Sequence, residues 1–333
     1  MSAVAFNRVA IVGAGAIGGW LGVHLARAGV NLGVLVRGDT LETLQKTGLQ
    51  LHQDGSLHTA PVRACGDAAD LGVQDLVVIA LKAPALAAVA RQISPMIGPD
   101  TLVLTAMNGV PWWFLQGFGG PVANRTLASV DPGGLIASAL PASHIVGCVV
   151  HASCSVDAPG VIRHHFGDGL IVGEPSGQAT PRVQALHALL RQAGFNATLS
   201  PQIQKDIWYK LWGNMTVNPV SALTGATTDR ILDDELVRGF ISSVMLEAKT
   251  IGELIGIPIA QNPDDRHAVT RKLGAFRTSM LQDVQAGKPI ELDVMVGAVR
   301  ELGQMSGVAT PFTDALLGLS RLQGRVLGLY PPQ

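Results

Sequence analysis

Lys210, Asn214 and Asn218 stand four residues apart in the stretch KDIWYKLWGNMTVNP, residues 205–219. Read as a helix, the stretch stacks them at i, i+4 and i+8, so an ammonium and two carboxamides form one polar row. Trp208, Leu211, Trp212, Met215 and Val217 cover its other sides. The helix reads as a buried element with a single polar stripe, and buried polar groups need partners. A polar small molecule, gripped by the amides and by the ammonium charge, is the natural one. The competing reading is an exposed amphipathic helix with a solvated lysine and two incidental asparagines.

A second constellation lies near the start. Arg8-Val-Ala-Ile-Val12 is a short apolar run that meets Gly13-Ala-Gly15-Ala16-Ile17-Gly18, followed by a helical pattern through Leu21, Leu25 and Ala28. This is G-x-G-x-x-G after a strand and opening a helix, the setting in which the motif binds a dinucleotide. Gly13 permits the tight turn, Gly15 lets the backbone approach a pyrophosphate, and Gly18 allows close helix–strand packing. The N–H groups at the helix start then hold the phosphates. The strand Asn31 to Val36 ends in Arg37-Gly38, where an NAD enzyme usually has an acidic residue. An arginine fork suits a 2′-phosphate, which points to NADP; the alternative is a surface arginine, with Asp39 serving the ribose.

These residues need a scaffold, and the first half of the chain reads as one. A helix is expected near Leu41 to Lys46, with extended pieces at Leu49 to Leu51 and Leu57 to Val62. Leu76 to Ala80 reads as a buried parallel strand delivering Lys82 at its tip, and Leu102 to Thr105 delivers Asn108-Gly109 in the same way. Ligands bind outside the carboxyl ends of such strands. Further strands are expected at Leu127 to Val130, Ile145 to Val150 and Gly169 to Val172, a helix at Arg182 to Gln192, and a loop over 173–181. Trp112-Trp113-Phe114 is unusual in a chain that is 5% aromatic. It reads either as a helix start packed on the core or as the mouth of a ligand cleft. The second reading expects Trp113→Ala to change substrate range more than stability.

After Pro201 the pattern turns to helices almost throughout. Leu236 to Ile257 is the longest periodic segment, closed by Pro258, and others are expected near Asp264, Leu302 and Leu322. At 333 residues the chain has the length of about two domains. We divide it at 1–200 and 201–333.

Composition narrows the partner. Apolar residues make up 47% and charged ones 15%, and the net charge of −1 leaves no basic footprint for nucleic acid or membrane. Cys65, Cys148 and Cys154 show no C-x-x-C pair or zinc-ligand spacing, so reduced thiols, a cytoplasmic setting and no metal are expected. Val9 to Ala26 carries no Asp, Glu, Lys or Arg and approaches a membrane span in length. Its glycines at 13, 15, 18, 19 and 22 argue instead for the phosphate turn.

Taken together, GAGAIGG, Arg37-Gly, Lys82, Asn108-Gly, KLWGNMTVNP at 210–219, and S-x-x-x-D from Ser279 followed by Glu291 resemble the ketopantoate reductase (2-dehydropantoate 2-reductase) family. Order and spacing match over nearly the whole chain. The resemblance implies an α/β protein with an N-terminal Rossmann dinucleotide-binding domain, a C-terminal all-helical domain, and an active site in the cleft between them. It implies NADPH-dependent reduction of a 2-oxo acid, most simply ketopantoate to pantoate in pantothenate biosynthesis. A homodimer is compatible with that reading. Lys210 would be the proton donor to the ketone, with Glu291 positioning lysine and substrate. Asn214, Asn218, Ser279 and Asn108 would hold the substrate. Gly13, Gly15, Ala16, Ile17, Gly18, Arg37, Lys82 and Asn108 would hold the cofactor. The chemistry suits these types, because hydride addition to a ketone develops charge on oxygen, which an ammonium can stabilise and protonate. Taken alone, Glu291 would read as a surface carboxylate and Ser279 as a helix cap.

Family members commonly carry Gln where this chain has Met107, and a further amide beyond the lysine helix is replaced by Thr227 or Thr228. Those departures leave other 2-oxo acids open. A 3-hydroxyacid dehydrogenase shares the architecture and a Lys and Asn on one helix, but Ser279 with Glu291 favours the 2-oxo acid. A non-catalytic NADP sensor would have no need of a proton donor.

Overall fold

The computed structural model describes residues 5–332. The chain divides into two compact units: one holds the chain up to Met107 and Leu135–Ile203, the other holds Asn108–Gly134 and the chain from Gln204 onward.

The first unit is built on a ten-stranded sheet. Its strands are β1 (Arg8–Val12), β2 (Asn31–Leu35), β3 (Leu49–Gln53), β4 (Ser56–Ala60), β5 (Arg63–Cys65), β6 (Leu76–Ile79), β7 (Leu102–Thr105), β8 (Ile145–Ala158), β9 (Val161–Gly173) and β10 (Asn196–Leu199). They lie in the order β4-β3-β9-β8-β7-β6-β1-β2-β5, with β10 on β9. From β5 through β8 every neighbouring pair is parallel. β6 (LVVI) and β7 (LVLT) are buried at every position. That follows from helices covering both faces of a parallel sheet. The helices of this unit are α1 (Ala16–Arg27), α2 (Asp39–Thr47), α3 (Ala68–Leu71), α4 (Ala83–Ala90), α5 (Leu135–Ala139) and α6 (Pro181–Gln192). The uncharged stretch from Val9 to Ala26 is thus β1, a turn and the largely buried α1. No helix of the described residues is long and apolar enough to cross a membrane.

β8 and β9 form an antiparallel hairpin far longer than the apolar runs at its two ends. Its outer residues, from His151 to Asp168, mix polar and apolar types and are mostly at least partly exposed, with Ile162 buried in the core. Hydropathy marks only the buried part of such a strand, whereas the ladder of backbone bonds continues past it.

The second unit contains α7 (Ile203–Thr224), α8 (Thr228–Asp233), α9 (Glu235–Leu254), α10 (Pro263–Arg271), α11 (Ser279–Gln285), α12 (Ala298–Ser306) and α13 (Pro311–Val326), with a π-helical turn at Asp293–Gly297 before α12. Asp234 caps α9 by accepting from Leu236 N and Val237 N, and Asn262 and Asp265 form a capping box on α10. Trp208 and Trp212 of α7 are buried, and Trp212 Nε1 donates to Met245 O at 2.7 Å. A buried indole needs such an acceptor.

Segment 108–134 packs with these helices. Val110 N donates to Val294 O at 2.7 Å. The expected strand at Leu127 to Val130 is absent: these residues form turns. Their N–H groups find a carboxylate instead of a strand partner, with Ala128 N and Ser129 N donating to Glu301 at 2.7 and 2.8 Å and Ser129 Oγ at 2.6 Å. Trp113 and Phe114 are 1% and 0% exposed, and the Phe114 ring lies 6.1 Å from that of Trp208. The aromatic cluster is core of the helical unit. It is neither a helix start nor a cleft lining, because large apolar rings bury wherever a core will take them.

Candidate active site

In the first unit, β2, β1 and β6 are adjacent and parallel, so their carboxyl ends emerge along one edge of the sheet. After β1 the chain turns at Gly13, whose φ of +91° L side chains rarely adopt. Gly13 N donates to Leu35 O at 3.2 Å, which ties the turn to β2. A Cβ on Gly18 would lie 2.0 Å from Gly13 O, so the start of α1 can press against the turn only with glycine there. Gly15 is the N-cap of α1 and supplies no side-chain cap, and a Cβ on it would meet nothing within 4 Å. The first turn of α1 has no acidic residue. The N–H groups of Ala16 and Ile17 have no intrahelical acceptor and stand next to Gly15 at the positive end of a helix, a fitting cradle for a phosphate. Exposed Arg37 follows β2, and Lys82 precedes α4 as its N-cap residue after β6. Asp39 is the first residue of α2. The residues present thus suit a dinucleotide with an extra phosphate on its ribose.

In the second unit, Lys210 Nζ donates to Asn108 Oδ1 at 2.8 Å, joining residues 102 apart in sequence. Asn108 is set by its neighbours: Gly109 has φ of +81°, and a Cβ there would lie 2.6 Å from Val294 O. Asn214 and Asn218 continue the face of α7 that carries Lys210. Asn218 is 7% exposed, and neither amide hydrogen-bonds to another described residue. Two such amides on a largely buried helix are ready to receive a ligand.

Ser279 is the first residue of α11 and is exposed. The cap is Thr278, whose Oγ1 accepts from Leu281 N at 3.2 Å, so the Ser279 hydroxyl is not consumed in capping. Half-buried Glu291 lies between Ile290, whose N–H donates to Leu329 O, and the π-helical turn. Such turns are frequent at functional sites. Lys210 and Asn108 are joined by a direct bond, and Ser279 and Glu291 come from separate elements of the same unit. Thr228 Oγ1 donates to Gly274 O at 2.6 Å and accepts from Phe276 N, while Thr227 bonds Asp229, so both threonines secure local loops. Arg266 of α10 also reaches α7, against Gly213. No motif announced it, because its segment DDRHAVTR reads as a solvated face.

Residues 9–112 match the family model described as ketopantoate reductase PanE/ApbA, and residues 202–323 match the model of its C terminal part. A 2-dehydropantoate 2-reductase of Mesorhizobium japonicum is 44% identical over 97% of this chain and 99% of its own. Among solved structures, a provisionally assigned ketopantoate reductase from Ralstonia solanacearum MolK2 is 56% identical with a TM-score of 0.95, covering 98% of this chain and 100% of that one. A 2-dehydropantoate 2-reductase from Geobacter metallireducens GS-15 is 26% identical with a TM-score of 0.83, over 95% and 99%.

Proposed function

Because the chain belongs to the ketopantoate reductase PanE/ApbA family, we propose that it reduces a 2-oxo acid to the 2-hydroxy acid with NADPH, 2-dehydropantoate to pantoate before any other. The observation that carries this reading is the 2.8 Å bond from Lys210 Nζ to Asn108 Oδ1 beside two unengaged amides. NADPH, when bound, supplies the hydride. Lys210 gives a proton to the oxygen on which charge develops, and Asn108 aims the ammonium. Asn214, Asn218 and Ser279 hold the substrate by hydrogen bonds, and Glu291 positions the substrate and the lysine. Gly13, Gly15, Ala16, Ile17, Gly18, Arg37, Lys82 and Asn108 hold the cofactor. A screen of 2-oxo and 3-hydroxy acids followed by NADPH absorbance tests the reading. Turnover of 3-hydroxy acids alone would replace it with a dehydrogenase of that class.

Arg37 selects the cofactor by pairing with the 2′-phosphate that NADH lacks. A charge-assisted hydrogen bond contributes about 1.5–3 kcal/mol, so Arg37→Ala is expected to erode the NADPH-over-NADH ratio in kcat/KM by about 10–100-fold. An unchanged ratio would remove Arg37 from the cofactor site.

The partner of the chain is a second copy of itself, in the reducing setting of the cytoplasm. On α13, Phe312, Ala315, Leu319, Leu322 and Val326 are all exposed, at alternating steps of three and four residues. Leu322 is 61% and Val326 77% exposed. That spacing draws one apolar seam along a helix, the pattern by which two helices pair. Leu319→Glu with Leu322→Glu is expected to convert a dimer to a monomer in light scattering. A wild-type monomer at micromolar concentration refutes the pairing.

A further inference from the structure

One cation on the lysine helix's flank has no role in the reading above. Arg266, on α10, extends its guanidinium onto α7 at Gly213. A Cβ built on Gly213 would lie 2.6 Å from Nη2, 2.7 Å from Nε and 2.8 Å from Cζ, so the seat exists because residue 213 has no side chain. The guanidinium carbon also sits 5.6 Å from the centroid of the Tyr209 ring, in cation–π contact. Nε is enclosed and has no acceptor. No side-chain hydrogen bond or ion pair joins Arg266 to any other described residue. Burial pulls its pKa below the ordinary guanidinium value, opposed by nearby Tyr209, and no carboxylate among the described residues is paired with it. An enclosed cation without a counter-charge is costly, and arginine in such places is paired. The two Nη groups are not enclosed as Nε is. The counter-charge has a way in.

Position says what it belongs to. Gly213 follows Lys210 by three residues and precedes Asn214, and side chains three apart on a helix are neighbours, about 5–6 Å between Cβ atoms. In a 2-oxo acid the carboxylate is on the carbon next to the ketone. Lys210 and the seat of the guanidinium at Gly213 are one helical turn apart on α7, a spacing that suits that pair of groups. We propose that Arg266 binds the carboxylate of the substrate, which restricts the enzyme to free 2-oxo acids and aligns the ketone with Lys210. Arginine meets a carboxylate through paired N–H donors, which an ester or amide does not repay. The proposal rests on the reductase reading, and its test separates the two.

Wild type, Arg266→Gln, Arg266→Lys and Gly213→Ala would be compared with ketopantoate and its methyl ester as substrates, and with pantoate binding read by calorimetry. Arg266→Gln is expected to raise KM for the acid by about 10–100-fold, with kcat and NADPH affinity far less affected. Its preference for acid over ester should collapse, and pantoate binding should weaken in parallel. Arg266→Lys should recover part of the loss, and Gly213→Ala, which pushes the guanidinium from its seat, should reproduce a milder form of it even if Arg266→Gln does not fold. A folded Arg266→Gln enzyme with unchanged KM, acid preference and pantoate affinity overturns the proposal and leaves the reductase reading intact. Pantoate binding that depends on Arg266 without turnover of any 2-oxo acid does the reverse.

Discussion

Lys210→Ala is expected to lower kcat by about 10²–10⁴-fold, the usual contribution of a positioned acid, which corresponds to about 2.7–5.5 kcal/mol of barrier. NADPH affinity should change little, since the cofactor residues other than Asn108 lie on the glycine turn and strand tips of the other unit. Arginine is not expected to rescue the variant: a guanidinium keeps the charge but holds its proton too tightly and has another shape. Asn108→Ala removes the acceptor 2.8 Å from Nζ. It should share part of the kcat loss, because the ammonium is no longer aimed. Asn214→Ala and Asn218→Ala should mainly raise KM, as expected of groups that bind ground and transition states alike. Stopped-flow and steady-state rates with a confirmed substrate at saturating NADPH read these apart. Near-normal kcat in Lys210→Ala would remove the residue on which the mechanism turns.

Trp113→Ala is expected to cost about 3–5 kcal/mol of stability, the range for deleting a buried aromatic ring. Trp113 is 1% exposed and stands beside Trp112 and Phe114, which are 6% and 0% exposed. Denaturant titration of the variant should show the loss, while the enzyme that remains folded keeps its substrate profile. Wild-type stability with an altered substrate profile would instead return the ring to a ligand cleft.

How much of this was legible beforehand depends on the range of each interaction. The 3.6-residue period of residues 205–219 defines α7 and its polar face, because side-chain direction on a helix is a local matter. The turn at Gly13 to Gly18 and the strands ahead of Arg37, Lys82 and Asn108 were legible for the same reason: φ-permissive glycines and apolar runs act within a few residues. Even so, local pattern misread Leu127 to Val130, whose apolar run forms turns because Glu301 captures its N–H groups from 172 or more residues away. It also left the aromatic cluster at 112–114 undecided, since burial depends on what arrives to cover it.

The sequence by itself determined the dinucleotide turn, the parallel strands and the order of the lysine helix's polar stripe. Tertiary structure alone decided that Asn108 leaves the strand it follows and meets Lys210, that residues 108–134 complete the helical unit, and that Arg266 settles against Gly213. Backbone preference and hydropathy period are properties of neighbours in the chain. The partner of a side chain, and whether a charge is left without one, is set by packing between segments far apart in sequence.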